Sequence, residues 1–403
     1  MKHPVLVVGV GAEGPASLSE ATRQRIAGAD QLWGSERLLA FWAGHPAPQT
    51  VISAAAASIV ERLQQRGEQR VVILASGDPG LFGIAGTLLR QLPAAEVEIV
   101  PHVSSLQLAF ARAGIDWSDA VFTSAHARPL AEVIGWAKHV HKLGILTDPA
   151  HTPAVLASAL LGAGLEDCRA IVAEALGTPE ERLIDGRLSE LPGGAFAPLN
   201  VLLLVRHPDW RPRPVLAPRP EAAYAHRRGL ITKAGVRALS LAALALAETD
   251  TAWDIGAGSG ALSVEMAELA WRGQVFAVEC DGECLACIQR NAERFGTPNV
   301  AIVAGRAPAA LEGLPPPQAV FVGGTGGEMA AILSAVARAA RPGCRVVLNL
   351  AALEHMSEGL RLMHSLGWSP RLTQASIAYG EPLAGLTRLA PLNPVFILAG
   401  VVT

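Results

Sequence analysis

The sequence predicts an α/β protein made of two domains in tandem, and three observations carry that prediction. Apolar runs of strand length alternate with amphipathic, helix-length stretches before residue 207 and again after residue 250. Two of those runs, "VVILAS" and "TAWDI", lead directly into glycine-rich turns that open helices. Between the halves, "HPDWRPRPVLAPRP" sets five prolines within positions 208–220 and shows no apolar period, the composition of an extended connector. The predicted organisation is a first domain over 1–207, a Pro/Arg-rich linker over 208–228 and a second domain over 229–403, with parallel sheets in both halves.

Composition supports this division. A chain of 403 residues exceeds what one core usually serves, and 50% hydrophobic residues supply ample material for two. A net charge of −3 gives no electrostatic footprint for nucleic acid. The opening "MKHPVLVVGVGAEG" breaks into glycines too early for a signal peptide and reads as a first strand. No apolar stretch reaches the roughly 18 residues of a membrane span without a charge, Gly or Pro, so a cytoplasmic protein is expected. The five cysteines (168, 280, 284, 287 and 344) are too few and too scattered for a disulfide framework. Cys280, Cys284 and Cys287 could share one helix face, but no fourth ligand lies nearby, so no metal is expected.

In the first half the strand-like runs are "VLVVGV", "VVILAS", "VEIVP" and "LGILT". The first ends among Gly9 and Gly11, and the second runs into "SGDPGLFG", an open turn with no lysine to meet a phosphate. In the second half, "WDIGAGSGALSVEMA" ends a strand at Ile255, places glycines at 256, 258 and 260, and starts a helix near Ala261. Such a turn lets backbone amides approach a ligand closely. By itself it also satisfies a dinucleotide fingerprint, so a nicotinamide enzyme stays open. Asp254 stands where a carboxylate could receive an amino-acid ammonium, and Glu279 ends the next strand at the distance of a ribose-binding acid. Together these acids favour S-adenosylmethionine. At the chain's end, "ASIAYG" and "NPVFILAGVV" are expected to pair antiparallel at a sheet edge, with no helix between them.

From "GLITKAGVRALSLAALAL", "DIGAGSGALSVEMA", "NAERFGTPNVAIVAGRAPAAL", "AVFVGGTGG" and "NPVFILAG", the second half resembles the decarboxylating methyltransferases of cobalamin biosynthesis that act on cobalt-precorrin-6B. The resemblance implies a Rossmann-like class I methyltransferase fold, methylation at carbon 15 of a corrin precursor and loss of the ring C acetate carboxyl. It places S-adenosylmethionine against Asp254, Gly256, Gly258, Gly260, Glu279, Gly305 and Arg306. The basic residues of "AHRRGLITKAGVR", Arg227, Arg228, Lys233 and Arg237, are candidates for substrate carboxylates, since arginine forks suit them. Gly323, Gly324 and Thr325 are candidates for pocket backbone on the substrate side.

"SGDPGLFG", "VPHVSSLQLAFARAG", "FTSAHARPL" and "APLNVLLLV" resemble the tetrapyrrole methylases, and within them the precorrin C5-methyltransferase branch. This implies a class III methyltransferase fold of two α/β subdomains with S-adenosylmethionine in the cleft between them. Gly9, Gly11, Gly77, Asp78, Pro79, Ser104 and Ser105 would line the cofactor site, and His126 and Arg128 would meet substrate carboxylates. A turn-forming role for Asp78 and helix capping by the serines are the competing readings. Two loops depart from the family pattern, "GVGAEGPAS" in place of a Gly-Pro-Gly form and Ala127 in place of a glycine.

A fusion of these two families would carry one S-adenosylmethionine per domain and act on a single tetrapyrrole at carbons 5 and 15, with no metal, nucleic-acid or membrane partner. Homo-oligomers are common among relatives of the second half. A degenerate first domain serving as scaffold, and a two-domain RNA methyltransferase, are the rival readings.

Overall fold

Val5–Val10 is buried at every position, and its alternate residues face two separate cores. Leu6, Val8 and Val10 pack with Ile26, Leu32 and Leu38, whereas Val5 and Val7 pack with Trp33, Leu63 and Leu88. An unbroken apolar strand covered on both faces belongs in the middle of a parallel sheet. This strand, β1, lies between β4 (Val71–Ser76) and β5 (Val97–Val100), while β2 (Gln31–Gly34) and β3 (Gln49–Val51) extend the β4 side. All pairings in this first sheet are parallel.

The computed structural model describes residues 3–52, 56–126, 129–210, 218–227 and 231–403. The chain divides into two compact units, one of 1–161 and 166–211, the other of 162–165 and 212–403.

The second sheet of the first unit runs β6-β7-β10-β8-β9, from β6 (Val121–Ser124), β7 (Lys142–Leu146), β8 (Arg169–Glu174), β9 (Arg182–Arg187) and β10 (Asn200–Val205). Only β6 and β7 are parallel, and the other three pairings are antiparallel. The expectation of a parallel sheet is corrected here. The connection between β8 and β9, residues 175–181, is too short for a crossover helix and makes a hairpin instead.

In the second unit the order is β13-β12-β11-β14-β15-β19-β16. The strands are β11 (Thr251–Ile255), β12 (Gln274–Glu279), β13 (Val300–Ala304), β14 (Ala319–Val322), β15 (Arg345–Leu350), β16 (Arg371–Ala375) and β19 (Val395–Val401). The first five are parallel, and β19 lies antiparallel to both β15 and β16. Strand order reverses at β11, which has β12 on one side and β14 on the other, and such a switch point leaves a crevice at the carboxyl ends of the strands.

The chain's end differs from expectation. β19 does pair antiparallel, but its edge partner is β16, which stops where "ASIAYG" starts. The second half of that run belongs to β17 (Ala378–Leu383), which forms a separate hairpin with β18 (Leu386–Pro391). Ala384 and Gly385 turn the hairpin with φ of 45° and 81°, the two-residue turn that matches strand twist.

Part of the stretch read as linker packs on the second unit. Arg219 forks onto Glu268 with Nη–Oε distances of 2.6 and 2.7 Å, and the buried Tyr224 hydroxyl donates to Glu265 at 2.8 Å. Among the described residues no helix is long and apolar enough to cross a membrane.

Candidate active sites

In the second unit the turn after β11 needs three glycines for three reasons. Gly256, Gly258 and Gly260 have φ of 69°, 56° and 72°, a region that side chains disfavour. A Cβ on Gly256 would lie 2.7 Å from the Gly324 backbone, and one on Gly260 would lie 2.9 Å from Ile288. One on Gly258 would meet nothing within 4 Å, so that glycine faces open space. Gly260 starts the helix Ala261–Leu269 with no side-chain cap, which leaves its first amides available to a ligand.

β12 delivers Glu279 to the same place. Its Oε2 accepts the Gly258 N–H at 2.8 Å, and its Oε1 accepts those of Cys280 and Asp281 at 2.7 and 2.9 Å, so the carboxylate is fixed by backbone donors. A cavity of about 210 Å³ lies between them. Its wall brings together Gly256, Glu279, Gly305, Arg306, Gly324 and Thr325 from four strand ends. Gly323 sits just behind, where a Cβ would lie 3.1 Å from the Gly256 carbonyl oxygen.

Asp254 is 1% exposed, on β11 at the base of this turn. Its Oδ2 accepts the Ser263 hydroxyl, and its Oδ1 has no partner among the described residues. Burial, helped by the charge of Glu279, pushes its carboxyl up to about 7. A buried carboxylate with one oxygen unmet fits a ligand that brings a positive charge. The glycine cradle, the fixed acid and this unmet oxygen suit S-adenosylmethionine.

Two basic candidates change role. Arg237 is completely buried, and its guanidinium donates to Glu265 Oε2 at 3.0 Å and to the carbonyls of Thr232 and Arg219, so it is part of the core and not of a substrate surface. Arg227 is paired with Asp281 and Glu283 at 2.8 and 2.9 Å. Lys233 occupies the N-cap position of the helix Ala234–Leu244, half-buried. Arg228 lies outside the described residues. The cysteines do not share a helix face, because Cys280 precedes the helix Gly282–Phe295 that carries Cys284 and Cys287.

In the first unit a cleft of about 570 Å³ is lined from both sheets. Gly11, Gly77, Ser105 and His126 line it. Gly9 and Gly77 bring the ends of β1 and β4 together, since a Cβ on Gly9 would collide with the Gly77 carbonyl oxygen. Asp78 and Pro79 shape the turn: Asp78 Oδ1 accepts the Gly80 N–H at 2.8 Å and Pro79 is buried. Ser104 caps the helix Ser105–Arg112, accepting the Gln107 N–H at 3.2 Å while Gln107 Oε1 accepts the Ser104 N–H, so its side chain serves the helix. Arg128 lies outside the described residues.

Several lining residues have no local sequence signal. Thr147, after β7, donates its hydroxyl to Asn200 Oδ1 at 2.8 Å across to β10, and Arg37 donates to Ser76 Oγ at 2.7 Å. Phe82 and Ala175 line the cleft with φ of 55° and 47°, strain of the kind that collects at binding sites.

Comparison with known proteins gives these clefts a class. Residues 4–192 match the tetrapyrrole (corrin/porphyrin) methylases, and residues 222–401 match the precorrin methyltransferase domain. Fold and sites thus define a methyltransferase built from two unrelated methylase units, with S-adenosylmethionine as methyl donor. A precorrin-6Y C(5,15)-methyltransferase (decarboxylating) from Sinorhizobium sp is 36% identical over 96% of this chain and 94% of its own length. A protein of the same name from Mycobacterium tuberculosis is 34% identical over 97% and 98%. The chain belongs to this family of decarboxylating precorrin-6Y C5,15-methyltransferases. A probable cobalt-precorrin-6B C(15)-methyltransferase (decarboxylating) from Pyrobaculum calidifontis is 35% identical over 44% of this chain and 93% of its own.

Proposed function

We propose that the chain methylates a corrin precursor, precorrin-6B, twice in cobalamin biosynthesis. The first unit acts at carbon 5, and the second at carbon 15 with loss of the ring C acetate carboxyl, each with its own S-adenosylmethionine. The observation that carries this reading is the presence of two separate glycine-lined clefts, one in each unit, with different electrostatics. The small cavity of the second unit has the Glu279 carboxylate in its wall, whereas no carboxylate lines the cleft of the first among the described residues. A relative named for carbon 15 alone matches only 44% of the chain, about one domain's worth, which supports a division of labour.

Bound S-adenosylmethionine supplies an electrophilic methyl group. In the second unit Asp254 holds its ammonium, Glu279 its ribose, and Gly258 leaves room for close approach. Gly305 and Arg306 bound the far wall, and Gly324 and Thr325 offer backbone where a side chain would obstruct a bulky macrocycle. In the first unit Gly11, Gly77 and Ser105 line the donor's cleft, with Gly9, Asp78 and Pro79 shaping it. Positioning in a water-poor pocket is the main catalytic task for such in-line transfer. Lys233, at a helix start in the second unit, is a described candidate for substrate carboxylates, and in the first unit His126 lines the cleft on the side given to the substrate. The expected self-association would bury apolar surface such as Leu386 and Leu389 of the β17–β18 hairpin, which are 76% and 73% exposed.

The test is incubation of the full chain with S-adenosylmethionine and precorrin-6B, read by mass spectrometry. Gain of two methyl groups with loss of one carbon dioxide is expected. A product with one methyl group, or with the carboxyl retained, contradicts the reading.

A further inference from the structure

In the wall of the first unit's cleft the ionisable side chains among the described residues are Arg37 and His126. Arg37 is a guanidinium held by Ser76 and cannot take up a proton. The hydroxyls and amide that share the wall are no better as bases near neutral pH. His126 is therefore the one proton acceptor there among the described residues.

Its surroundings suit that role. The His126 backbone N–H donates to Ser124 Oγ at 3.2 Å, which sets the start of the loop after β6. His126 Nδ1 lies 3.7 Å from Asp148 Oδ2. Asp148 is itself fixed, its Oδ1 accepting the N–H groups of Ala150 and His151 at 2.9 and 2.7 Å and His151 Nδ1 at 3.1 Å. Burial pushes its carboxyl up, but the hydrogen bonds from His151 outweigh this and hold it below the usual range. At that distance the carboxylate stabilises an imidazolium through its charge and not through a hydrogen bond, and it leaves Nε2 for a substrate. His126 is 71% exposed, so a proton taken up there can pass on to water.

Proton balance says which unit needs such a group. At carbon 15 the electron pair released with carbon dioxide matches the incoming methyl cation, and the displaced hydrogen ends on the former acetate carbon, which becomes a methyl group. No net proton is released. At carbon 5 nothing leaves but hydrogen. The macrocycle's electron pair forms the carbon–methyl bond, sulfur keeps the pair of the broken sulfur–methyl bond, and the carbon–hydrogen pair returns to the conjugated system. One proton must go elsewhere.

We propose that His126 Nε2 accepts the proton displaced from carbon 5, with Asp148 as a positioning residue behind it. This rests on the assignment of carbon 5 to the first unit. Among the described residues, Asp148 and His151 are the charged or titratable groups grouped with His126, and Arg37 shares its cleft.

The experiment uses the full chain and follows both methylations separately with methyl-labelled donor. His126→Ala is expected to lower turnover at carbon 5 by about 10²–10⁴-fold, the usual range for general-base removal. Binding of precorrin-6B, titrated by its absorbance change without the methyl donor, stays unchanged, and added imidazole restores part of the rate. The low-pH fall in carbon 5 turnover disappears in His126→Gln. Asp148→Asn lowers turnover about tenfold with unchanged binding. Carbon 15 methylation continues in all three variants, which shows that the substrate is competent. Intact turnover in His126→Ala, or weakened macrocycle binding with turnover preserved, overturns the proposal, as does a low-pH limb that persists in His126→Gln. A wild-type chain that methylates carbon 15 alone would remove the underlying assignment instead, and the proposal with it.

Discussion

Arg237 Nε lies 3.0 Å from Glu265 Oε2, and the two side chains are 0% and 4% exposed. Glu265 also accepts the Tyr224 hydroxyl and the Arg219 N–H, so one buried carboxylate ties the segment around residues 219–224 to two helices. Removing one member of a buried pair leaves the other uncompensated. Arg237→Ala is expected to destabilise the second unit by about 3–5 kcal/mol in urea unfolding. The double variant Arg237→Met, Glu265→Leu should recover much of that loss.

Asp254 makes the second unit sensitive to pH. Its carboxyl is raised by burial from the ordinary 3.8 to about 7. The folded state therefore holds a proton that the unfolded state releases. The resulting stability is full below the unfolded value and is lost as pH rises through about 7. A rise of that size is worth roughly 4 kcal/mol at most. Thermal scans without ligand should show the second transition falling between about pH 4 and 7, and Asp254→Asn should flatten that fall. S-adenosylmethionine binding to this unit should run the opposite way, tightening as pH rises because its ammonium favours the carboxylate. Calorimetry in buffers of different ionisation enthalpy would detect the released proton.

The turn glycines should separate stability from binding. Gly256→Ala forces a Cβ within 2.7 Å of the Gly324 backbone and should cost about 1–3 kcal/mol as well as ligand affinity. Gly258→Ala has space for its methyl group, so its stability cost should stay near the roughly 1 kcal/mol of a left-handed residue. Its main effect should be weaker S-adenosylmethionine binding, because the methyl group projects where the ligand would approach. Equal behaviour of the two variants in melting and binding assays would argue against that placement.

For self-association, Leu386→Glu combined with Leu389→Glu should lower the molecular mass in sedimentation while both unfolding transitions persist. An unchanged mass would move the interface elsewhere.

Much of this architecture was legible because it is imposed by backbone conformation. Three left-handed positions in five residues can hardly be written without glycine, so Gly256, Gly258 and Gly260 announce their turn, and Glu279 follows at the end of the next strand. Strand direction left no such mark. β8 and β10 are buried on both faces like β1, and only the short connection after β8 makes its neighbour antiparallel. Arg237 looked like a substrate residue because its partner Glu265 stands on another helix, and spacing along the chain does not show that pairing. Thr147 and Asn200 escaped for the same reason, coming from strand ends far apart in sequence.

The division of labour is tested most directly by nuclear magnetic resonance of product made with carbon-13 methyl donor by two full-length variants. Gly77→Val puts a side chain at φ 60° beside Ser104 in the first cleft, and Gly258→Val does the same at φ 56° in the second. Gly77→Val should yield decarboxylated product labelled at carbon 15 alone, and Gly258→Val should abolish decarboxylation and the carbon 15 label. Label at carbon 5 undiminished in Gly77→Val, or decarboxylation surviving in Gly258→Val, would contradict the assignment of one reaction to each unit.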